Sequence, residues 1–395
     1  MSIQGIFTSN QGIVGERAGD FASAILMTNP TGRAPLLGLT AGMGKESTQD
    51  TTFNWFEDAH EPGRQEVVSG GTTTSVVVTD GSFYTPNTIL EVQDTGEHLF
   101  IASAVGNTLT VVRGFAGTSI VSLAGGEFVQ KIGNAFEEAS AMPVAVTQQG
   151  APRFNFTQIF RDAWAISGTA KAVKYITGSK LAHNKQMCGV YHSESIERSF
   201  IWGKKSLTTL NGRQFRTTDG ILTQIESFGG SVESANVGGA GNLSRGALED
   251  WIQDVFTYNV MGQPNERVAF SGNKALAEIN KMAWLDGTYQ FGTGETQLGV
   301  KITKVITPFG DLTMMTHAMM NENPTWTHEI YALHPGAIKK RVLRETFPED
   351  LKGSASGTNG RDADEGVITS EMGIQVGAAR TMGIMRNVQN AVATT

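Results

Sequence analysis

The feature that most constrains this sequence is a series of short apolar segments separated by turn dipeptides between residues 66 and 131. The segments are 76–78, 89–92, 99–101 and 109–112, and Asp80-Gly81, Asp94-Thr95-Gly96 and Gly106-Asn107 lie between them. Glycine, aspartate and asparagine tolerate the positive φ that tight hairpin turns require. We therefore predict a small antiparallel β-meander, with flexible glycine joints at 69–71 and 124–126.

Two segments of similar character flank this β-module. Phe53 and Trp55 alternate with polar neighbours over residues 51–58, as in a half-exposed strand, and acidic and aromatic residues return at 134–139. We predict that the two segments are the legs of one extended hairpin over residues 49–143, with the β-module at 66–131 inserted between them.

The first 48 residues are predicted to form an arm. They are mostly polar and contain the breakers Pro30, Gly32, Pro35 and Gly38. A segment with so few apolar residues cannot offset its own ordering entropy by burial. We expect the arm to remain loose or to lie along the surface of a partner.

The middle of the chain has helical periodicity. Residues 180–202 contain no proline and predict a long helix, with Met187, Cys188, Val190 and Tyr191 as its apolar stripe and Glu194 and Arg198 on its outer side. A second helix is predicted over 245–259, where Ser244 is a suitable N-cap. Its apolar residues recur at helical spacing: Leu248, Trp251, Ile252, Val255 and Phe256.

Strands alternate with these helices, so the predicted fold class is α+β. We predict a strand at 267–270, a helix capped by Ser271, a hairpin of 300–306 with 312–315, and two closing strands at 367–376 and 381–388.

Composition excludes several classes of protein. The net charge of −7 disfavours tight non-specific DNA binding, which needs many Lys and Arg contacts to phosphate. The single cysteine, Cys188, cannot form a disulfide framework within the chain, so synthesis in a reducing cytoplasm is expected. We find no basic, apolar signal segment at the N-terminus and no run of about 20 apolar residues that could cross a bilayer.

Catalytic and metal-binding motifs are weak. The glycine-rich stretch 38–47 has the wrong spacing for a phosphate-binding loop, and Glu46 stands where Ser or Thr should bind magnesium. The glycines at 238–241 lack the third glycine of a dinucleotide fingerprint. His183 and His192 are nine residues apart, which is not the spacing of a helical zinc pair. We therefore predict no cofactor, no metal and no enzymatic activity.

Four strings carry a family resemblance: FNFTQIFRDAWAISGTAKAV (154–173), ESIERSFIWGK (194–204), PFGDL (308–312) and EMGIQV (371–376). With the order of the parts, they resemble the tailed-phage major capsid proteins of the Hong Kong 97-type fold, and in particular the subgroup of phage SU10. The resemblance implies an N-terminal arm (1–48), an extended E-loop (49–143), a peripheral domain (144–215) with its spine helix at about 180–202, an axial domain (216–345) and a C-terminal return to the peripheral domain (346–395).

The resemblance also implies a function. Copies of such a chain join as hexamers and pentamers into an icosahedral shell around double-stranded DNA, so the virion is the expected location and a membrane is not. Expected partners are the chain itself, weakly contacted DNA and, as candidates, scaffolding, portal and decoration proteins. Some shells of this fold carry covalent Lys–Asn links from the E-loop. Lys131 is the only lysine within 49–143, so no such link is predicted here.

Contacts between subunits are the candidate functional sites. We predict that Trp55, Glu57, Asp58, Glu137 and Glu138 on the hairpin legs meet a neighbouring copy, whose arginines would pair with the carboxylates. The candidate arginines are Arg64, Arg153, Arg161 and Arg198. The basic residues 339–341 are either a salt-bridged strand, the favoured interpretation, or a surface that faces DNA.

Three alternatives compete with a phage shell. The first is an encapsulin-like nanocompartment shell, against which the long E-loop insertion argues. The second is a β-rich tail or adhesin protein, and the helices argue against it. The third is an enzyme of unknown type, for which no convergent set of catalytic groups is found.

Overall fold

The computed structural model describes residues 45–58, 63–143, 145, 150–175, 178–235, 243–286, 296–297, 300–301, 303–351 and 362–390. Most of the predicted arm, the glycine-rich stretch up to residue 44 and the glycines at 238–241 lie outside the described residues. The chain divides into two compact units, one of residues 56–152 and one of residues 1–55 together with 153–395.

The described strands and helices follow one another along both units. The strands are β1 (Lys45–Ser47), β2 (Thr52–Glu57), β3 (Arg64–Ser69), β4 (Ser75–Val78), β5 (Thr88–Val92), β6 (His98–Val105), β7 (Thr108–Val112), β8 (Phe128–Asn134), β9 (Ala151–Phe156), β10 (Gln158–Ser167), β11 (Ser206–Leu210), β12 (Arg213–Thr217), β13 (Ser231–Ser234), β14 (Glu266–Ser271), β15 (Thr296–Gln297), β16 (Val300–Lys301), β17 (Thr303–Thr307), β18 (Gly310–Thr316), β19 (Ile330–Leu333), β20 (Ile338–Leu351), β21 (Ala363–Val376) and β22 (Gly383–Arg386). The helices are α1 (Gly168–Ala172), α2 (Lys180–Trp202), α3 (Ile221–Ser227), α4 (Arg245–Thr257) and α5 (Asn273–Asp286).

The β-module is a closed barrel, and the prediction of a simple meander was wrong. Its strands pair in the order β3-β4-β7-β6-β5-β8, and β8 returns to pair with both β3 and β5. Alternate residues of the strands point inward and are fully buried, for example Leu90, Val92, Leu99 and Ile101. Strands β4 to β7 were predicted from their apolar segments and the turns between them, whereas β3 and β8 were not predicted. Closure depends on β8 pairing with both β3 and β5, which also removes the exposed edges of a meander.

The glycines at 69–71 and 124–126 are ordered parts of this barrel, so the prediction of flexible joints was wrong. Gly71 and Leu123 exchange two backbone hydrogen bonds of 2.8 and 2.9 Å. A Cβ atom on Gly125 would lie 2.8 Å from the carbonyl oxygen of Val68. Glycine is needed at position 125 because two backbones approach closely there.

The pairing of the hairpin legs also differs from the prediction. Strand β2 pairs with β9, whereas residues 134–139 lie at and beyond the end of the barrel strand β8. The amide of Ala135 donates to the carbonyl of Asn87 inside the barrel unit (3.0 Å). The acidic and aromatic character of 134–139 is a local property and does not determine which strand lies opposite β2.

The unit of residues 1–55 and 153–395, here called the second unit, contains a four-stranded sheet in the order β1-β20-β21-β10. The helix predicted at 180–202 is present as α2, with the Ser179 hydroxyl accepting from the amide of Ala182 (3.4 Å). Its buried face runs through Cys188, His192, Ile196 and Phe200, one residue per helical turn. The predicted orientation is confirmed for Cys188, which is buried, and for Arg198, which is exposed. It was wrong for Glu194, which is buried, and for Tyr191, which is 53% exposed.

A six-stranded sheet in the order β13-β22-β19-β14-β18-β17 forms the rest of this unit, and α4 packs against it. The Ser244 cap and the buried stripe of α4 are confirmed. The predicted strand at 267–270, the β17–β18 hairpin and the two closing strands are also present. Ser271 belongs to β14, and its hydroxyl donates to the Gly272 carbonyl. The prediction that Ser271 caps α5 was therefore wrong.

The last two strands of the chain pair with different sheets. Strand β21 pairs with β10 and β20, as expected for a return to the segment before the spine helix. Strand β22 instead pairs with β13 and β19 of the middle segment. The return of residues 346–395 to the peripheral domain stays a prediction, since these pairings join the end of the chain to both sheets.

Candidate inter-subunit surfaces

Trp55 is the one predicted contact residue that the structure places in its own core. It is only 7% exposed, its ring stacks on Phe53 with 6.0 Å between centroids, and Phe228 packs edge-on at 6.4 Å. Its ring therefore packs mainly within its own chain, and its contact with a neighbouring copy stays a prediction. Alternation along β2 predicted the strand but not which of its faces would be buried.

The predicted carboxylates lie on different elements of the structure. Glu57 ends β2 and Asp58 follows it, whereas Glu137 and Glu138 lie after the barrel strand β8, in a turn closed by the amide of Ser140 donating to the Glu137 carbonyl (3.2 Å). Asp58, Glu137 and Glu138 are exposed, and Glu57 is partly exposed. Since β2 pairs with β9, these residues do not face each other across one hairpin as predicted.

Three of the four candidate arginines are engaged within their own chain. The Arg64 guanidinium lies 3.7 Å from the centroid of Phe128 and donates to the Gln93 side chain (3.0 Å). Arg153 lies over the ring of Phe228 (4.3 Å), and Arg198 is 2.8 Å from a carboxylate oxygen of Glu322.

Arg161 differs from those three. It is exposed on β10, in register with Thr369 of β21, and makes no ion pair with the residues that the structure describes. Sequence reasoning could not separate these four arginines, because their partners come from distant parts of the chain.

The basic residues 339–341 form part of a salt-bridged strand, as favoured above. Strand β1 runs parallel to β20, with Lys45, Glu46 and Ser47 in register with 340–342. Glu46 accepts from Lys339 (2.6 Å) and is paired with Arg341. The hydrogen bond from Lys339, together with the Arg341 charge, holds the pKa of Glu46 below its ordinary value although partial burial opposes this. The last residues of the predicted arm are thereby attached to the four-stranded sheet.

A buried polar network that the sequence did not reveal joins β10, α2, β21 and β20. The carboxylate of Asp162 lies 2.7 Å from Nδ1 of His192, and Nε2 of His192 lies 2.6 Å from the hydroxyl of Ser370. The Thr346 hydroxyl is 2.8 Å from that of Ser370. The order Asp–His–Ser resembles a hydrolytic triad, but Ser370 is fully buried, so its hydroxyl cannot reach a substrate in solution.

This network holds the spine helix against the sheet. Nearby, His317 Nε2 lies 3.0 Å from a carboxylate oxygen of Glu197, and both side chains are fully buried. Buried polar groups of this kind are retained only with partners at hydrogen-bond distance. No local sequence signal reveals them, because residues 162, 192, 197, 317 and 370 meet only after folding.

A hairpin of β11 and β12 was also missed, although its turn carries a recognisable signal. Asn211 and Gly212 connect the strands with φ values of 51° and 72°, the Asn-Gly pattern of a type I′ turn. Every residue of β11 is exposed, and Leu207, Leu210 and Phe215 are each more than half exposed. A two-stranded hairpin is marginally stable by itself, so this surface is a candidate for contact with a partner.

The described residues contain neither a metal-binding cluster nor a helix suited to a membrane. No group of three or more His, Cys, Asp or Glu there is arranged to hold a metal ion. No helix in those ranges is long and apolar enough to span a bilayer. Cys188 is buried, and burial together with the nearby Asp162 raises the pKa of its thiol, which disfavours the reactive thiolate.

Comparisons with known proteins agree with this arrangement. A family model described as SU10 major capsid protein matches residues 4–389. The chain is 26% identical over 393 residues to the major capsid protein of Pseudomonas phage PaMx41, covering 94% of this chain and 92% of that protein.

Solved structures extend the likeness to the fold. The capsid of a native GTA particle has a TM-score of 0.51 at 9% identity, covering 98% of this chain and 100% of that one. A chain of Mycobacterium phage Cain has a TM-score of 0.50 at 10% identity, with 99% and 100% covered. At these identities the likeness shows the fold alone, and it confirms the predicted α+β, Hong Kong 97-type capsid architecture.

Proposed function

The chain belongs to the SU10 major capsid protein family, and from this premise we propose that its copies join as hexamers and pentamers and close into an icosahedral shell around phage DNA. The observation that carries the proposal is the family match over almost the whole chain, residues 4–389. It makes this a structural protein of the virion. It also removes the tail or adhesin alternative.

Exposed apolar side chains support assembly. Phe56, Met142, Met261 and Phe347 are 75%, 90%, 100% and 64% exposed in the isolated chain. Each of these four side chains is a candidate to be covered by a neighbouring copy on association. Since each subunit of a shell touches several neighbours, many weak contacts together give stable assembly.

We further propose how the parts are used. The spine helix α2, with β10, β20 and β21, would form the peripheral domain, and the six-stranded sheet with α4 would form most of the axial domain. The arm would lie on a neighbouring copy, and the barrel would be an insertion in the E-loop. Contact with DNA would be weak because of the net charge of −7. Scaffolding, portal and decoration proteins are further candidate partners.

Negative-stain microscopy of the purified full chain tests the assembly. Closed shells or capsomer rings are expected. A single, well-behaved monomer at high protein concentration would contradict the proposal, and so would fibres. Nucleic acid inside particles isolated from infected cells is expected for a phage head, whereas small cages that hold an enzyme and no nucleic acid would identify a nanocompartment.

The exposed carboxylates are proposed to meet cations of an adjacent copy. We expect the double substitution Glu57→Lys and Glu137→Lys to impair shell assembly while leaving the circular dichroism spectrum of the monomer unchanged. Asp94→Lys, at an exposed turn of the barrel, is the control and should assemble normally. Normal shells from the double variant would remove these carboxylates from the interface.

A further inference from the structure

The β11–β12 hairpin and its approach are strongly basic for an acidic chain. Between residues 199 and 218 there are four cationic side chains and no carboxylate: Lys204, Lys205, Arg213 and Arg216. Lys205 lies over the ring of Phe154 (4.0 Å), and Arg216 lies 3.4 Å from Glu371. The side chains of Lys204 and Arg213 are exposed and make no ion pair with any residue that the structure describes.

One face of the hairpin combines this charge with apolar surface. In the antiparallel register Leu210 lies opposite Arg213, and Thr208 lies opposite Phe215. Directly opposed residues share a face, and so do alternate residues along each strand. Leu210, Arg213 and Phe215 therefore lie on the same face, where Leu210 and Phe215 are 54% and 53% exposed.

The segment between β8 and β9 has the complementary chemistry. Residues 132–152 contain two carboxylates, Glu137 and Glu138, and no Lys or Arg. Every residue from 134 to 143 is exposed, including Phe136 at 39% and Met142 at 90%. Neither carboxylate is in an ion pair with the described residues.

We infer that the β11–β12 hairpin of one copy docks on segment 134–143 of a second copy. Arg213 binds Glu137 and Glu138, while Leu210 and Phe215 cover Phe136 and Met142. This inference rests on the proposed assembly and specifies one of its interfaces. It also replaces the arginines expected from the sequence, three of which are held within their own chain, by cations that are available for a partner.

Packaged DNA is the other polyanion that a basic hairpin could meet. The apolar half of the same face argues against it, because a phosphate backbone offers nothing to cover Leu210 and Phe215. A peptide segment that carries both carboxylates and large apolar side chains satisfies the whole face, and Phe, Met and Arg are among the residues enriched in protein–protein interfaces.

A charge exchange on the full chain tests the inference. We expect Arg213→Glu to raise the critical concentration for assembly by about tenfold, as for the loss of one good ion pair at each interface. Glu137→Arg with Glu138→Arg should have a similar effect. The variant that combines all three substitutions should recover much of the assembly. Sedimentation velocity measures the assembled fraction, and thermal unfolding of the unassembled chain checks the fold.

Lys274→Glu, at an exposed cation on α5, is the matched control and should leave the critical concentration unchanged. If Arg213→Glu reduces folding, Arg213→Gln and Leu210→Ser replace it with the same expected direction. Unchanged assembly of the hairpin variants, with wild-type shells formed normally, would overturn the inference and leave the proposed function intact. Failure of the wild-type chain to assemble would contradict the proposed function itself.

A third outcome would also overturn the inference. If Arg213→Glu assembled normally but the wild-type capsomers retarded duplex DNA in a gel and the variant capsomers did not, the hairpin would face nucleic acid. Such binding should weaken steeply with added salt, as contacts to phosphate do.

Discussion

The inserted barrel contains a buried ion pair whose groups are all satisfied. Arg113 binds both carboxylate oxygens of Glu97 at 2.8 and 2.6 Å, and the two side chains are 3% and 0% exposed. The amides of Gly114 and Val121 donate to the same carboxylate at 3.0 and 3.1 Å. Arg113 also donates to the carbonyl of Gly71 (2.8 Å). Removal of one member leaves a buried charge without a partner, which is costlier than removal of both.

Arg113→Met is therefore expected to destabilise the barrel by about 3–5 kcal/mol. Urea unfolding of the unassembled chain, monitored by far-UV circular dichroism, measures the loss of stability. Arg113→Met combined with Glu97→Leu should recover most of it, because no charge then remains buried. An unchanged urea midpoint for the single variant would show that the pair contributes nothing.

The same pair makes stability depend on pH. Burial acts to raise the pKa of Glu97, but the hydrogen bonds from Arg113, Val121 and Gly114 outweigh it and the pKa lies below the ordinary value of 4.5. A folded-state pKa below the unfolded value contributes stability above about pH 4.5, and this contribution is lost as the pH falls towards the folded-state pKa. We expect the urea midpoint to fall between pH 5 and pH 3 by more in the wild type than in the Arg113→Met, Glu97→Leu variant. These two pH values lie about one pH unit above and below the ordinary pKa of Glu. Equal falls in the two proteins would contradict the prediction.

Among the elements, the ends of the spine helix α2 could be predicted from the sequence, but its buried face could not. Its bounds were predictable, because Ser179 supplies a cap, Gly203 follows the last turn and no proline interrupts residues 180–202. Its buried face was not, because His192 and Glu197 can enter the core only where Asp162, Ser370 and His317 satisfy them. Because polar residues belong to the buried face, the apolar pattern of the sequence did not reveal which face packs on the sheet.

Ser179→Ala is expected to lower the stability of the second unit by about 1 kcal/mol, since the amide of Ala182 loses its acceptor. Thermal unfolding of the unassembled chain is the measurement. Ser179→Asp keeps an acceptor and places a negative charge at the positive end of the helix, so it should match the wild type. An equal loss in the Asp and Ala variants would exclude capping as the cause.

On the scale of the whole molecule, the position of lysines limits how shells can be strengthened. Lys131, on barrel strand β8, is the only lysine between residues 49 and 143. We expect boiling of assembled shells in SDS to release single subunits of 42.3 kDa. A ladder of multiples on the gel, absent from a Lys131→Arg variant, would show a covalent link through this residue.

The sequence by itself determined what depends on neighbouring residues. It specified four of the six barrel strands (β4 to β7), the three helices α2, α4 and α5, the Ser244 cap and the β17–β18 hairpin, and four strings sufficed to indicate the family. These features follow from backbone propensity and from side-chain period over a few residues. The Asn211-Gly212 turn belonged to the same class, although its hairpin was not predicted.

Only the tertiary structure decided which segments meet. The closure of the barrel, the pairing of β2 with β9 and the arrival of β22 in the second sheet all join residues far apart in the chain. So do the burial of Trp55 and the engagement of Arg64, Arg153 and Arg198 by internal partners. The physical reason is that pairing and burial are set by long-range packing, in which one local pattern is compatible with many partners.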